Sequence, residues 1–148
     1  MRILFVCTGN ACRSQMAEGL CRALASSELE VYSAGTRPAG VHPRTIASMK
    51  ERGIDISKQT SNGLRDVPPD CDLVITLCGD AAEACPAFPE TTLVTHWPIA
   101  DPVRATGCDA EIMAAFRTAR DEIELRVTRL LEELSMEREE GGGGGLVG

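Results

Sequence analysis

Residues 3–6 of this chain, Ile3-Leu4-Phe5-Val6, are apolar at every position, without the alternation that marks a strand with one wet face. A run of β-formers too short for a helix fits a strand buried on both faces, the usual condition in a parallel sheet. It ends at Cys7. Residues 14–25 then place Met16, Ala17, Leu20, Ala23 and Leu24 at helical spacing, so a helix follows the connecting loop directly. Residues 29–32 read as a second strand closed by Ser33-Ala34-Gly35, and residues 43–52 as a helix with Pro43 in its first turn and Gly53 just past its end. Residues 73–77 and 93–95 supply two more strands. In the last helix Ile112, Phe116, Ala119, Ile123, Val127, Leu130 and Leu134 step by four or three, with Arg and Glu on the opposite face. Strands alternating with helices predict an α/β fold: a single-domain, doubly wound, four-stranded parallel sheet flanked by helices. Sites in such sheets lie at the carboxyl ends of strands, where Cys7 and Cys78 both fall.

A chain of 148 residues, 43% of them hydrophobic, suits one domain with one core. We expect that domain over residues 1–140, followed by a disordered Gly-rich tail at 141–148. A net charge of -7 argues against nucleic acid or an anionic membrane as partner. It does not exclude a small anion, because screening over about 8–10 Å lets one Arg dominate a pocket locally. The opening residues carry too short an apolar run for a signal peptide or a membrane span, so a cytoplasmic monomer is expected. Seven cysteines form an odd set, unlike a secreted disulfide framework, and no C-x2-C pair suggests zinc. No metal is expected.

The stretch Cys7-Thr8-Gly9-Asn10-Ala11-Cys12-Arg13-Ser14 sets a Cys and an Arg six positions apart between strand and helix. A loop of that length can curl until its backbone N–H groups converge on one tetrahedral oxyanion, with the helix dipole adding to the field and Arg13 offering a two-pronged donor. The same field favours a nucleophilic thiolate at Cys7. Gly9 is expected to supply the backbone angles that close the loop, and Asn10 and Ser14 to brace it from inside and donate to the thiolate.

This stretch, continued by Gln15-Met16-Ala17-Glu18-Gly19, resembles the loop of the low-molecular-weight tyrosine phosphatase fold. Thr8 with Gln15-Met16-Ala17-Glu18 resembles that fold's arsenate reductase branch, and Tyr32-Ser33-Ala34-Gly35 extends the likeness. The resemblance implies a phosphatase-like fold and an oxyanion site formed by Thr8, Gly9, Asn10, Ala11, Cys12, Arg13 and Ser14. Leu77-Cys78-Gly79-Asp80-Ala81-Ala82-Glu83-Ala84-Cys85-Pro86 adds two thiols seven residues apart after a strand. These correspond to the relay cysteines of thioredoxin-coupled arsenate reductases, since reducing arsenic(V) to arsenic(III) takes two electrons. If 80–85 were helical, Cys78 and Cys85 would stand about 10 Å apart along the axis. A disulfide needs Cα atoms within about 7 Å, so the segment would have to unwind.

Asp101, before Pro102 in a loop, can reach the pocket mouth and protonate a leaving oxygen. Phosphatases of this fold usually carry aromatic residues after that Asp-Pro, whereas Val103-Arg104-Ala105 follow here. The resemblance therefore implies catalysis by Cys7, Cys78, Cys85, Arg13 and Asp101. A Cys7-Cys78 disulfide would form first and a Cys78-Cys85 disulfide last, with reduced thioredoxin as electron donor and no bound cofactor. Glutathione or mycothiol stays open as the reductant. The rival readings are a phosphatase with the same pocket and a non-enzymatic thiol protein that sequesters arsenite. Cys12 reads as a spectator or protective thiol; Cys21, Cys71 and Cys108 as structural; His42 and His96 as packing or hydrogen-bonding residues. Glu18, Ser33, Thr60 and Asn62 resemble positions where some relatives bind an alkali cation, with a neutral Asn62 in place of an acidic residue.

Overall fold

A computed structural model describes residues 1–26, 28–78, 88 and 92–147, with 138–147 described by backbone alone. Four strands, β1 (Arg2–Cys7), β2 (Glu30–Gly35), β3 (Leu73–Thr76) and β4 (Leu93–His96), form one sheet in the order β2-β1-β3-β4. Every pairing is parallel. Among the described residues three helices, α1 (Arg13–Leu24), α2 (Pro43–Lys50) and α3 (Asp109–Val147), connect and cover it. This is the α/β class the sequence predicts. Helix α3 runs on through 141–147, past the boundary at 140 that the glycine run suggests.

The lack of alternation in β1 has a direct cause. Ile3, Phe5 and Cys7 face the larger core, with Met16 and Leu20 of α1, Met49 of α2, and Phe116, Ile123 and Val127 of α3. Leu4 and Val6 face the other way, into a smaller cluster with Ala34, Cys71 and Val74. A central strand buried on both faces accepts no polar residue on either. Truncating Ile75, which has no exposed surface, to Ala would cost about 2–5 kcal/mol.

Strand β2 is longer than the sequence pattern suggests. Ser33, Ala34 and Gly35 belong to the strand and pair with Phe5, Val6 and Cys7; they do not form a closing turn. Gly35 also bridges to Gly63 and donates its N–H to the carbonyl of Asn62. Small residues suit this end because a side chain on Gly35 would meet the anion loop.

On either side of β1 the chain departs in opposite directions, to β2 and to β3. This reversal opens a crevice at the carboxyl ends of the strands. The loop after Cys7 and the residues after β3 border it.

Candidate active site

The loop after β1 is held entirely from outside. The carbonyl of Thr8 accepts from the Arg37 N–H at 2.9 Å, that of Gly9 from the Ala39 N–H at 2.9 Å, and that of Ala11 from the His42 N–H at 3.0 Å. The Asn10 carbonyl accepts from the Gln15 side chain at 3.0 Å, and Cys12 from the Met16 N–H at 2.9 Å. In a trans peptide the carbonyl and the following N–H point in opposite directions. Five outward carbonyls therefore turn the N–H groups of Gly9 through Arg13 inward, and an oxyanion cradle follows from the hydrogen-bond pattern. Helix α1 begins there with no acidic residue in its first turn and no side chain capping it, so its positive end faces the cradle unneutralised.

The left-handed residue of the loop is Asn10, with φ of 44°, whereas Gly9 is not in that region. This corrects the expectation that Gly9 supplies the unusual angle. Asparagine tolerates the left-handed region when its short side chain is hydrogen-bonded, and here it is fully engaged. Its Oδ1 accepts from the Asn62 N–H at 2.6 Å, and its Nδ2 donates to Ser14 at 2.7 Å and Ser33 at 2.9 Å. Cys7, 2% exposed, has its sulfur 2.8 Å from the Ser14 hydroxyl. Asn10 thus reaches the thiol through Ser14 and not directly.

Arg13, 2% exposed, ties three segments together. Its Nη1 donates to the carbonyls of Leu77 at 2.9 Å and Ile99 at 3.0 Å, and its Nη2 lies 3.5 Å from Asp101 Oδ2. The other Asp101 oxygen accepts from the Val103 N–H at 3.1 Å, capping the 3-10 turn Pro102–Arg104. Asp101 therefore caps its turn with one oxygen and pairs with Arg13 through the other.

Cys78 follows β3 and is half-buried. Val6 pairs with Thr76, and the Leu77 N–H donates to the Val6 carbonyl at 2.8 Å, so Cys78 stands one step past the position beside Cys7. Parallel pairing thus brings the two cysteines to the same edge of the sheet. Cys78 lies beyond the end of β3, so the pleat does not dictate where its side chain points. Cys85, with the unwinding expected of residues 80–85, lies outside the described residues.

Cys12 is buried within the loop. Burial pushes its thiol up to about 12, against the pull of the Thr45 hydroxyl, so it stays protonated at neutral pH. That suits the spectator role. His42 accepts from the Arg44 N–H through Nδ1 at 3.0 Å, capping α2. Burial, then Arg44, push its pKa below the usual imidazole value, consistent with a hydrogen-bonding role.

Sequence reasoning missed the bracing shell. Gln15 donates to Asn10 and Thr60 and accepts from Gln59 at 2.7 Å, while Ser61 adds a bond to the Gly9 carbonyl. A Cβ on Gly35 would lie 2.6 Å from the Thr8 carbonyl and 2.7 Å from the Asn10 nitrogen. The only sequence signal for that contact was a glycine at a strand end.

The residues resembling an alkali-cation site do not fit one here. Both Glu18 oxygens are taken, by the Ser33 hydroxyl at 2.5 Å and by Arg22 at 3.1 Å, and Asn62 Oδ1 accepts from Thr60. Among the described residues no cluster of three His, Cys, Asp or Glu could hold a metal. Nor is any helix among them long and apolar enough to cross a membrane.

Comparison with known proteins agrees with this geometry. The family described as low molecular weight phosphotyrosine protein phosphatase matches residues 2–140. The arsenate reductase of Halalkalibacterium halodurans is 49% identical over 131 residues, 88% of this chain and 94% of that protein. A solved structure described as an arsenate reductase in the phosphate binding state has a TM-score of 0.75 at 37% identity, covering 89% of this chain and 97% of that one. A thioredoxin-dependent arsenate reductase from Corynebacterium glutamicum has a TM-score of 0.68 at 30% identity, covering 92% of this chain and 62% of that one.

Proposed function

This chain belongs to the low molecular weight phosphotyrosine protein phosphatase family, and from that premise we propose that it is an arsenate reductase working through Cys7, Cys78 and Cys85. The observation that carries the reading is the second thiol: Cys78 stands two residues past the end of the strand that pairs with the one leading to Cys7. Ester hydrolysis has no use for it. Reduction of arsenate does, because the pocket holds phosphate and arsenate alike and only a second electron source separates the two reactions.

The Cys7 thiolate attacks arsenate held by the loop N–H groups and Arg13, and Asp101 protonates the departing oxygen, which leaves as water. The product is a Cys7 sulfur–arsenic(V) bond. The Cys78 thiolate then attacks the Cys7 sulfur. A Cys7-Cys78 bond forms, the sulfur–arsenic pair stays with arsenic, and arsenite departs two electrons richer. Cys85 attacks Cys78 and frees Cys7, leaving a Cys78-Cys85 disulfide for reduced thioredoxin to open by exchange. The setting is a reducing cytoplasm, where all these thiols start free.

Arsenate-dependent NADPH consumption with thioredoxin and thioredoxin reductase tests the whole cycle. Cys85→Ser tests the relay within it: one arsenite is released per chain, turnover then stops, and peptide mapping finds Cys7 bonded to Cys78. Multiple rapid turnovers by this variant would remove Cys85 from the relay. Activity with glutathione or mycothiol but not thioredoxin would change the reductant and leave the rest standing. In a phosphatase, Cys85→Ser would leave ester hydrolysis untouched and give no burst.

A further inference from the structure

Behind the anion loop, on the side away from the pocket mouth, a cavity of about 580 Å³ is lined by Glu18, Arg22, Tyr32, Ser33, Thr60 and Asn62, among others. Glu18 is only 6% exposed there, while the Arg22 side chain is 56% exposed and bonds both Glu18 and, at 2.6 Å, the carbonyl of Val31. A buried carboxylate one turn from an arginine is ordinary. The line of hydrogen bonds that leads from this one to the nucleophile is not.

The direction of each hydrogen bond from Glu18 to Cys7 follows once Cys7 is a thiolate and Glu18 a carboxylate, since both can then only accept. The Asn62 backbone N–H can only donate, so the Asn10 atom facing it at 2.6 Å is the amide oxygen. The Asn10 nitrogen therefore faces Ser14 and Ser33, and an amide nitrogen only donates, so both hydroxyl oxygens accept from it. Each hydroxyl has one hydrogen left. Ser33 gives its hydrogen to Glu18 Oε1 at 2.5 Å, and Ser14 gives its hydrogen to the Cys7 sulfur at 2.8 Å.

The first gift requires Glu18 to accept. Its other oxygen faces a guanidinium, which also only donates, so the ionised group meets one donor at each oxygen. Burial pushes the Glu18 carboxyl up, opposed first by Ser33 and then by Arg22. Removing the guanidinium leaves two states. If Glu18 gains a proton, its own O–H can turn on Ser33, whose hydrogen then loses its acceptor and whose support for Asn10 weakens. If it stays ionised, an uncompensated buried anion lies behind an anion-binding loop. Both disfavour the thiolate.

We propose that Arg22 is a positioning residue for Cys7: its guanidinium is the resident cation that compensates the buried Glu18 charge and keeps Glu18 the acceptor at the far end of the Ser33, Asn10 and Ser14 chain that leads to the thiolate. It fills with a side chain the place where the resemblance suggests a dissolved cation. The inference rests on Cys7 being the nucleophile.

The test is the pH profile of Cys7 alkylation by iodoacetamide, read by mass on the Cys7 peptide in the full-length protein. In Arg22→Gln the midpoint moves up by about one pH unit. Alkylation on the acid side then falls about tenfold, following the thiolate fraction. Arg22→Lys keeps the charge and recovers most of the shift, and guanidinium ion at millimolar concentration recovers it in Arg22→Ala. The wild-type profile is the same in potassium chloride as in choline chloride. A wild-type midpoint in Arg22→Gln, even with a lowered Tm, would make Arg22 purely structural and overturn the proposal. So would a wild-type profile that depends on potassium, because a free cation would then hold Glu18. If wild-type Cys7 titrates like a free cysteine, its role as nucleophile falls first, whatever the Arg22 variants do.

Discussion

Strands β1 and β3 lie side by side and each leads to a cysteine, but the two ends are built to opposite purposes. After β1, every carbonyl from Thr8 to Cys12 is fastened from outside, and Cys7 is 2% exposed with a hydroxyl at 2.8 Å. After β3, Cys78 is half-buried, and Arg13 grips the carbonyl of Leu77 just before it. A group that must attack a fixed oxyanion gains from preorganisation, because a cradle aimed in advance needs no reordering when charge develops. A thiol that must reach Cys7, then Cys85, then a partner cannot be held that way. Arg13, the anion's ligand in the proposed mechanism, joins the two by fastening the end of β3 and the loop carrying Asp101.

The largest expected effect separates the two ends outright. Cys7→Ser abolishes both arsenate reduction and any phosphate-ester hydrolysis, because the serine hydroxyl stays protonated where a thiolate attacked. Cys78→Ser abolishes reduction alone, and arsenate still protects Cys7 from alkylation. If the two variants lost the same activities, the division of labour between the strand ends would be gone. Next in size is Asp101→Asn, which keeps oxyanion binding and slows the first chemical step by about 10²–10⁴. An unchanged single-turnover rate would leave Asp101 as the cap of its turn and nothing more.

Gly35→Ala tests whether the β1 end is as tightly packed as its contacts say. A Cβ there would lie 2.6 Å from the Thr8 carbonyl, so the loop must shift. At the usual overpacking cost of about 1–3 kcal/mol, oxyanion affinity should fall roughly 5- to 150-fold, with Cys78 reactivity unchanged. Equal affinity by calorimetry would show a more yielding loop than those contacts imply.

The smallest effect concerns the thiols that do no chemistry. Cys12 and Cys21 are pushed up from 9.0 to about 12 and about 11, mainly by burial. A group raised on folding contributes stability below its unfolded value that is lost as pH climbs through the folded one. Denaturation midpoints should therefore hold to about pH 9 and then decline through pH 11 and 12, a slope that the double variant Cys12→Ala, Cys21→Ala flattens. An unflattened slope would mean that these thiols do not titrate on unfolding.

The order of strands and helices, the burial of β1 on both faces and the spacing of Cys7 and Arg13 could all be read in sequence, because they depend on periodicity and on residues close along the chain. So could the placement of Cys7 and Cys78 at the carboxyl ends of two strands, once a parallel sheet was inferred. The bracing of the anion loop could not. Arg37, Ala39 and His42 act there through backbone N–H groups, which every residue but proline has, so no side-chain pattern marks them. Gln15, Ser33 and Asn62 meet at Asn10 from three separate segments, and the strain at the loop falls on Asn10 where a glycine stood one position away. Local sequence determined which elements form and which chemistry they carry. Only the tertiary structure decided which way the loop's dipoles point, because its carbonyls are held by partners as far as Ser61, 52 residues from Gly9 along the chain.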